Sequence, residues 1–463
     1  MAILSKDDSL VQPHLDKVRI LRRIKNVLKP RFPLLTVTQA RHIKYWTRCL
    51  KTFLPHQYTG NDSNRMYLAY FIISALDLLG ALKTVPSEQE RQDHINWVYR
   101  CQHPNGGFRM WPGTDFGELS NESNAPYDPA NIPGTYFALA TLLIYGDDLS
   151  RVQRKDCLKW LQRMQRTDGS FGETLVKGQI EGGSDSRLGF CAAGIRHILR
   201  GRTLGPITID GETIGDIDLD GFVKCVQMSE SFDGGIADEP FHEPQAGYTF
   251  CSLGALALIG RLNRPDSHDS GSPRAPVDPL RVLGWLVWRQ TELTDPDAEL
   301  DTDFHTSEAA PDHQHAEGKH ITKGAMSPDD GLPAKQSPEK TVGGSIFDLL
   351  VDGAGMNGRT NKVADTCYAF WAGASLHILE APSQCDQSAI RRYLLGKTQH
   401  GVLGGFGKFP GDLPDLYHSY LGLAALSLAG SDELKPLDGG MCLSKEARER
   451  LPAIWRSWQV EVD

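Results

Sequence analysis

The sequence predicts an all-α protein whose helices pair into a closed α6/α6 toroid with an apolar central cavity. Glutamine recurs every 62 or 63 residues, at the end of an amphipathic helix and before a polar, glycine-rich turn, at Gln102, Gln165, Gln227 and Gln290. Six more apolar segments follow such turns. Repeats of this length indicate stacked helical units, and six buried helices inside six amphipathic ones imply a closed ring. The alternative, an open solenoid, would need a polar concave face.

Composition narrows the class of protein. The chain has 463 residues, 40% apolar and 23% charged, which is typical of a globular protein. Its net charge of −9 argues against nucleic-acid binding. No apolar run approaches the roughly 20 residues that cross a membrane, and the start lacks a signal-peptide core. Nine scattered cysteines without a C-x-x-C pair indicate reduced thiols, so we expect a cytoplasmic protein.

The amphipathic outer helices carry start signals. Ser87 with Glu90, and Ser150 with Gln153, have the spacing of capping boxes. The inner helices are predicted at 65–79, 134–145, 187–199, 247–260, 366–379 and 416–429. Because they are apolar nearly all round, we expect them to be buried.

Two segments are predicted to lie outside this repeat. Residues 1–35 form an N-terminal extension, and the toroid domain is assigned to 36–460. Gln399 follows Gln290 by 109 residues because 291–345, acidic and poor in large apolar residues, is predicted to be a disordered insertion. Its histidine-rich part, with Asp312, His313, His315 and His320, is interpreted as an adventitious metal binder.

In a toroid the inner helices run parallel, so their N-termini meet at one mouth. Residues near those starts become neighbours, namely Tyr67, Thr135, Arg187, Tyr248, Asp365, Cys367, Tyr368 and His418. The helix N-termini add partial positive charge there. Below them, the apolar helices would line a cavity suited to a hydrocarbon chain.

Three of these side chains suggest a metal site. Taken alone, Asp365 is typical of a helix N-cap, Cys367 of a small buried residue and His418 of a structural histidine. Brought together, they offer the O, S and N ligands that Zn²⁺ accepts, with the fourth position open for catalysis. Arg359 and Lys362, just upstream, suit an anionic substrate such as a diphosphate.

At these residues the chain resembles the β subunits of protein prenyltransferases, and within that family the geranylgeranyltransferases of type I. The resemblance rests on GRTNKVADTCYAFW, GDDLSRVQRKDCLKWLQRMQRTDGSF, AGYTFCSLGALALIG and GGFGKFPGDLPDLYHSYLGLAALSL, and covers 39–430 apart from the insertion. It implies a zinc-bearing subunit that pairs with an α subunit. The pair would transfer an isoprenoid, here geranylgeranyl, from its diphosphate to the cysteine of a CaaX C-terminus, as in small GTPases.

The resemblance also implies roles for individual residues. Asp365, Cys367 and His418 match the zinc ligands; Arg359, Lys362 and Tyr368 match the diphosphate-binding residues; Arg187 matches an arginine beside the isoprenoid. Lys408 stands where farnesyltransferases place a Mg²⁺-binding Asp and geranylgeranyltransferases of type I a Lys. We therefore expect no Mg²⁺ requirement.

Two positions depart from the family pattern. Gln245 stands where a histidine usually contacts the diphosphate, and His242 lies three residues too early to replace it directly. Tyr67 stands where farnesyltransferases have Trp and the geranylgeranyl enzymes Thr, so the length of the isoprenoid pocket is ambiguous at this position.

Three other functions remain as alternatives. A farnesyltransferase β subunit is the nearest. A terpene cyclase or glycosidase would need acids on the inner helices, where Asp77 is the main candidate. A non-catalytic helical scaffold would hold a structural zinc with four protein ligands.

Overall fold

The computed structural model describes residues 36–262, 277–293 and 354–459, apart from positions 53, 56, 57 and 59. The predicted extension 1–35 and residues 294–345 of the predicted insertion, with its histidine-rich part, lie outside this range and stay predictions. Thr291, at the start of the predicted insertion, instead lies in a short strand.

Twelve helices of the described residues alternate between an outer and an inner set. The outer helices are α1 (Gln39–Lys51), α3 (Glu88–Arg100), α5 (Arg154–Arg163), α7 (Leu219–Met228), α9 (Pro279–Val287) and α11 (Gln387–Tyr393). The inner helices are α2 (Arg65–Leu78), α4 (Ile132–Tyr145), α6 (Ser186–Arg200), α8 (Ala246–Leu258), α10 (Thr366–Ile378) and α12 (Leu416–Leu428). All six predicted inner helices are confirmed to within two residues at each end.

The inner helices close into a ring. Each packs against the next, and α12 packs against α2, so the predicted toroid is confirmed and the open solenoid is wrong. The residues of α4 from Ala138 to Ile144 are all buried, as expected for a helix enclosed by outer helices and neighbours. None of the helices within the described ranges is long and apolar enough to cross a membrane.

The repeated glutamine joins one outer helix to the next. The Gln165 side chain accepts a hydrogen bond from the Asp218 N–H at 2.7 Å and donates to the Asp218 carbonyl at 2.8 Å, where α7 begins. Gln290 does the same with Asp386 at the start of α11. Gln102 and Gln399 each accept from one backbone N–H and donate to a carbonyl two residues earlier, at the starts of α5 and α1. The bond from Gln399 to Thr38 therefore closes the outer ring.

A buried hydroxyl fixes each of three turns to the inner helix that follows. In each case a backbone N–H of the turn donates to a hydroxyl in the first turn of the helix. The bonds run from Phe108 to Thr135 of α4 at 2.8 Å, from Ile236 to Thr249 of α8 at 3.0 Å, and from Phe406 to Ser419 of α12 at 2.9 Å. Thr135, predicted to lie at the mouth, is thus a fully buried structural residue.

Helix caps follow the sequence at one predicted start and not at the other. Ser87 and Glu90 form the predicted capping box of α3. The box predicted at Ser150 is wrong, because α5 begins at Arg154 and Gln153 precedes it without a side-chain cap. The N–H of Gln153 donates instead to the side chain of Gln102, at 2.8 Å.

Short strands and turns complete the described chain. Antiparallel pairs form between β1 (Thr174–Val176) and β2 (Gln179–Glu181), β3 (Ile207–Ile209) and β4 (Glu212–Ile214), β5 (Gln290–Thr291) and β6 (Gly355–Met356), and β7 (Leu437–Asp438) and β8 (Leu443–Ser444). The β5–β6 pair joins the two sides of the predicted insertion. Short helices follow at α13 (Lys445–Arg448) and α14 (Leu451–Ser457). Single 3₁₀ turns lie at Asp62–Asn64, Pro112–Thr114, Gly117–Leu119, Ala125–Tyr127 and Pro382–Gln384, and a π-helical turn at Leu394–Thr398.

Asp77 holds the C-terminal segment against the toroid. This carboxylate on α2 is 4% exposed. It accepts from Lys435 Nζ at 2.6 Å and from Ser444 Oγ at 2.5 Å. The acid that the cyclase and glycosidase alternatives required is therefore fully used in a structural contact.

We expect Asp77→Ala to lower the free energy of unfolding by about 1–3 kcal/mol, because it leaves the buried Ser444 hydroxyl without its acceptor and Lys435 with only Glu446 as its ion-pair partner. Chemical denaturation followed by circular dichroism measures the change. The exposed neighbour Asp432, changed to Ala, should alter stability by less than about 0.5 kcal/mol. Equal effects of the two substitutions would contradict this role.

Candidate active site

Asp365, Cys367 and His418 meet at the mouth where the inner helices begin. Their ligand atoms all lie within 4.8 Å of one another, and His418 Nε2 lies 3.5 Å from Asp365 Oδ1. Asp365 is the N-cap of α10, Cys367 lies in its first turn, and His418 lies in the first turn of α12. The packing of α10 against α12 brings the pair and the histidine together.

The donor set fits a divalent cation. Cys367 is buried, and this burial is the main cause that raises the pKa of its thiol well above the usual value. The nearby Asp365 carboxylate raises the pKa further. Asp365 is also buried, and one of its oxygens caps the Cys367 N–H at 2.7 Å. A cation bound among these ligands would offset both the burial and the carboxylate's repulsion, and one S, one N and one O donor suit Zn²⁺.

Asp415 orients His418 and was missed by the sequence reasoning. Its Oδ1 caps the His418 N–H at 2.8 Å, and its Oδ2 accepts from His418 Nδ1 at 2.6 Å. Tyr58 donates to the same carboxylate at 3.3 Å. Because Nδ1 is engaged in this way, Nε2 faces the Asp365–Cys367 pair. The spacing D-x-x-H at a helix start was the signal available in the sequence.

Lys408 reaches the same mouth from the turn before α12. Its Nζ lies 4.0 Å from Asp365 Oδ2, and its side chain is about half exposed. The backbone explains this placement: the Thr366 N–H donates to the Lys408 carbonyl at 3.1 Å, and the Thr366 hydroxyl donates to the Gly407 carbonyl at 2.7 Å. The charge of Lys408 is therefore held beside the start of α10.

Tyr368 lies near Asp365 and Cys367, and Arg359 lies near Tyr368 but has an intramolecular partner. Its guanidinium pairs with Glu243 at 3.0 Å, and both side chains are exposed. A Cβ on Gly358 would lie 2.1 Å from the Tyr368 ring, so the ring depends on a glycine at that position. The sequence reasoning did not anticipate Glu243, which occupies Arg359 in the way an anionic ligand would.

Arg187 and Gln245 lie at the starts of α6 and α8. Arg187 pairs with its own N-cap, Asp185, at 2.8 Å and lies 5.6 Å from the Tyr248 ring centroid. Gln245 precedes α8 without capping it. His242 pairs with Asp238 at 3.0 Å within the turn. The structure therefore leaves the usual histidine position to the half-buried Gln245.

Tyr67 belongs to a belt of aromatic rings below the mouth. It packs edge-on against Phe71 at 4.4 Å and Phe137 at 5.6 Å between ring centroids. Ring contacts link every neighbouring pair of inner helices, through Phe137 and Tyr70, Tyr136 and Phe190, Phe190 and Phe250, Phe250 and Trp371, Trp371 and Tyr417, and Tyr417 and Phe71. The belt thus forms a closed ring of aromatic contacts beside the Asp365–Cys367–His418 cluster, which Tyr417 contacts through His418.

A toroid of six helix pairs with a mixed-ligand cluster above an aromatic lining defines the class of α/α-toroid enzymes. The profile of the prenyltransferase alpha-alpha toroid domain matches residues 37–443. The chain belongs to this prenyltransferase family.

Individual relatives narrow the comparison. The chain is 29% identical over 415 residues to the geranylgeranyl transferase type-1 subunit beta of Arabidopsis thaliana, covering 88% of each chain. It is 28% identical to that of Dictyostelium discoideum, over 89% of this chain and 96% of the relative. Farnesyltransferase β subunits match at 24–26% identity.

The fold itself matches a solved structure. Candida albicans protein geranylgeranyltransferase-I complexed with GGPP aligns with a TM-score of 0.67 and 24% identity, over 90% of this chain and 99% of that one. The predicted toroid, the resemblance to type I geranylgeranyltransferase β subunits and the prediction of a prenyltransferase enzyme are confirmed. The individual site residues stay predictions.

We expect Asp415→Asn to weaken zinc binding by roughly 10- to 100-fold, because the amide can still cap α12 but no longer offers His418 a carboxylate acceptor. Zinc affinity is measured by competition with a chromogenic chelator. Asp386→Asn, at the equivalent cap of α11, is the matched control and should bind zinc like the wild type. Unchanged affinity in Asp415→Asn would show that His418 needs no such support.

Proposed function

We propose that this chain is the zinc-bearing β subunit of a type I protein geranylgeranyltransferase. In this proposal, it transfers a geranylgeranyl group from geranylgeranyl diphosphate to the cysteine thiol of C-terminal CaaX motifs, in a heterodimer with an α subunit. The observation that carries the proposal is the Asp365–Cys367–His418 cluster, which lies between cationic side chains and a closed aromatic lining.

The protein's own residues would bind the two ends of the donor differently. The aromatic belt offers apolar surface to the isoprenoid, and burial of each CH₂ contributes about 0.8 kcal/mol. Arg359, Lys362 and Lys408 would hold the diphosphate at the mouth, together with the hydroxyl of Tyr368. Helix N-termini add partial positive charge on the same side.

Transfer forms a bond between the acceptor sulfur and C1 of the isoprenoid and breaks the bond from C1 to the diphosphate oxygen. Zinc bound at the cluster would lower the pKa of a coordinated thiol, so that a thiolate is available near neutral pH. The cations at the mouth stabilise the negative charge that develops on the departing diphosphate, as electrostatic catalysis requires. Lys408 would supply the charge that Mg²⁺ supplies in a farnesyltransferase.

Exposed apolar residues around the same mouth support an α-subunit partner. Large side chains in the turns that precede the inner helices are open to solvent, among them Phe232 at 89%, Phe241 at 101%, Val402 at 81% and Leu413 at 72%. Apolar surface of this kind marks interaction sites. The nine cysteines are all unpaired, which fits the reducing cytoplasm that we include in the proposal.

A donor-competition assay with metal analysis tests the function. Co-expressed with its α subunit, the chain should bind one zinc and prefer the 20-carbon donor over the 15-carbon donor, without added Mg²⁺. Cys367→Ala should lose both zinc and turnover, whereas Cys157→Ala, a buried thiol on α5, should keep both. A Mg²⁺-dependent preference for the 15-carbon donor would replace this assignment with a farnesyltransferase.

Lys408→Asp should make turnover depend on Mg²⁺, because a carboxylate beside the diphosphate site would bind the ion in place of the ammonium. Rates measured across a Mg²⁺ series give the dependence. Lys408→Gln is the control: it removes the charge without adding a metal ligand, so its rate should fall and stay insensitive to Mg²⁺. A flat Mg²⁺ response in Lys408→Asp would count against the role of Lys408.

A further inference from the structure

A second cavity lies at the opposite mouth of the toroid, which we call the far mouth. It has a volume of about 400 Å³. The last turns of α6, α8, α10 and α12 form its walls, and the segment 436–448 covers it. Because this end is remote from the helix starts, none of its lining residues belongs to the candidate active site.

His197 is a buried side chain of this cavity with one ring nitrogen unpartnered in the described part of the chain, while the ring also forms a hydrogen bond with the backbone of Leu258. It is 4% exposed, and its Nδ1 has no hydrogen-bond partner among the described residues. Burial is the main cause that lowers the pKa of the His197 imidazole to about 3, and the charges of Arg448 and Arg202 lower it further. The ring is therefore neutral near pH 7. Leaving such a nitrogen unpaired is unfavourable, and a bound group could recover the lost hydrogen bond.

Basic side chains surround the opening of the far mouth. Arg202 and Lys445 are exposed, and neither has an ion pair within the described ranges. Arg448 pairs with Asp438 at 3.3 Å, and Glu380 is the other acid of the lining. Three permanent cations therefore face two carboxylates across a concave surface.

Helix electrostatics explain only part of this arrangement. The carbonyl ends of four inner helices meet here and carry partial negative charge, which basic residues stabilise. That effect accounts for cations near the helix ends. It does not account for a neutral imidazole held inside the cavity with a free nitrogen, which indicates a hydrogen-bonded occupant.

We propose that the far mouth binds a phosphate group of a small molecule, with Arg202, Lys445 and Arg448 as charged donors and His197 at the cavity wall. A phosphate offers several acceptor oxygens to such converging donors. A compact ligand fits the concave cavity and reaches the buried imidazole, whereas a flat lipid surface does not. The site is independent of the transferase activity proposed above.

Calorimetric titration of the full-length chain with inorganic phosphate at low salt tests the proposal. Arg202→Gln/Lys445→Gln should weaken phosphate binding by roughly tenfold or more, since each substitution removes a charged hydrogen-bond donor. Both residues are exposed, so the fold should be retained. Arg100→Gln/Lys224→Gln removes the same charges from exposed positions on α3 and α7 and should bind phosphate like the wild type.

Further variants show where on the protein the phosphate binds. Arg359→Gln/Lys362→Gln removes cations at the near mouth, where the inner helices begin, and should leave phosphate binding at the far mouth intact. His197→Leu, checked for folding by circular dichroism, should weaken that binding. Absence of a phosphate-binding step that responds to Arg202 and Lys445 would show a water-filled cavity and overturn the proposal. Binding to vesicles containing phosphatidic acid without binding of free phosphate would overturn it as well.

Discussion

The candidate site depends on one constraint: six inner helices run parallel in a closed ring, so that their first turns share one mouth. Two kinds of hydrogen bond hold the repeats in this arrangement. Side-chain amides such as that of Gln165 fix four of the outer helices to the next, and hydroxyls such as that of Ser419 fix a turn to its inner helix. The bond from Gln399 to Thr38 closes the ring over 361 positions of sequence. Without closure, α12 would not lie beside α2, and the first turn of α12, which carries His418, would lose the packing from α2.

Helix capping and ligand positioning coincide at this mouth. Asp365 caps α10 with one oxygen and lies next to His418 Nε2, and Asp415 caps α12 while it holds His418 Nδ1. A carboxylate that bonds the backbone of its own helix start has few remaining rotamers. The geometry of the cluster is therefore set by the secondary structure itself, which is a rigid way to preorganise ligands from distant segments.

The sequence alone was sufficient for the fold and for the cluster because both follow from periodic patterns. Apolar segments at a regular interval gave the inner helices, and parallel packing then gathered Asp365, Cys367 and His418. Contacts between different repeats were beyond such reasoning. The side chain of Gln102 replaced the expected cap at Ser150, and Glu243 paired with Arg359, because neither partner is adjacent in sequence. Thr135 lies near the start of its helix, as predicted, but its hydroxyl bonds the preceding turn at Phe108 and does not face the mouth.

Parallel packing also gives the two mouths opposite electrostatics. In the proposed function, helix N-termini at the mouth of the candidate site reinforce Lys408 and Arg359 in attracting the diphosphate, so few side-chain cations are needed there. At the far mouth the helix C-termini carry partial negative charge, and some of the basic residues there balance that charge. Arg448 meets Asp438 in this way, whereas Arg202 and Lys445 have no ion pair within the described part of the chain. The three cations of this lining outnumber its two carboxylates, Asp438 and Glu380, and they face His197, whose Nδ1 has no partner there. Positive charge in excess of local need, beside a buried ring nitrogen without a hydrogen-bond partner, is the condition under which a phosphate binds at the negative end of helices.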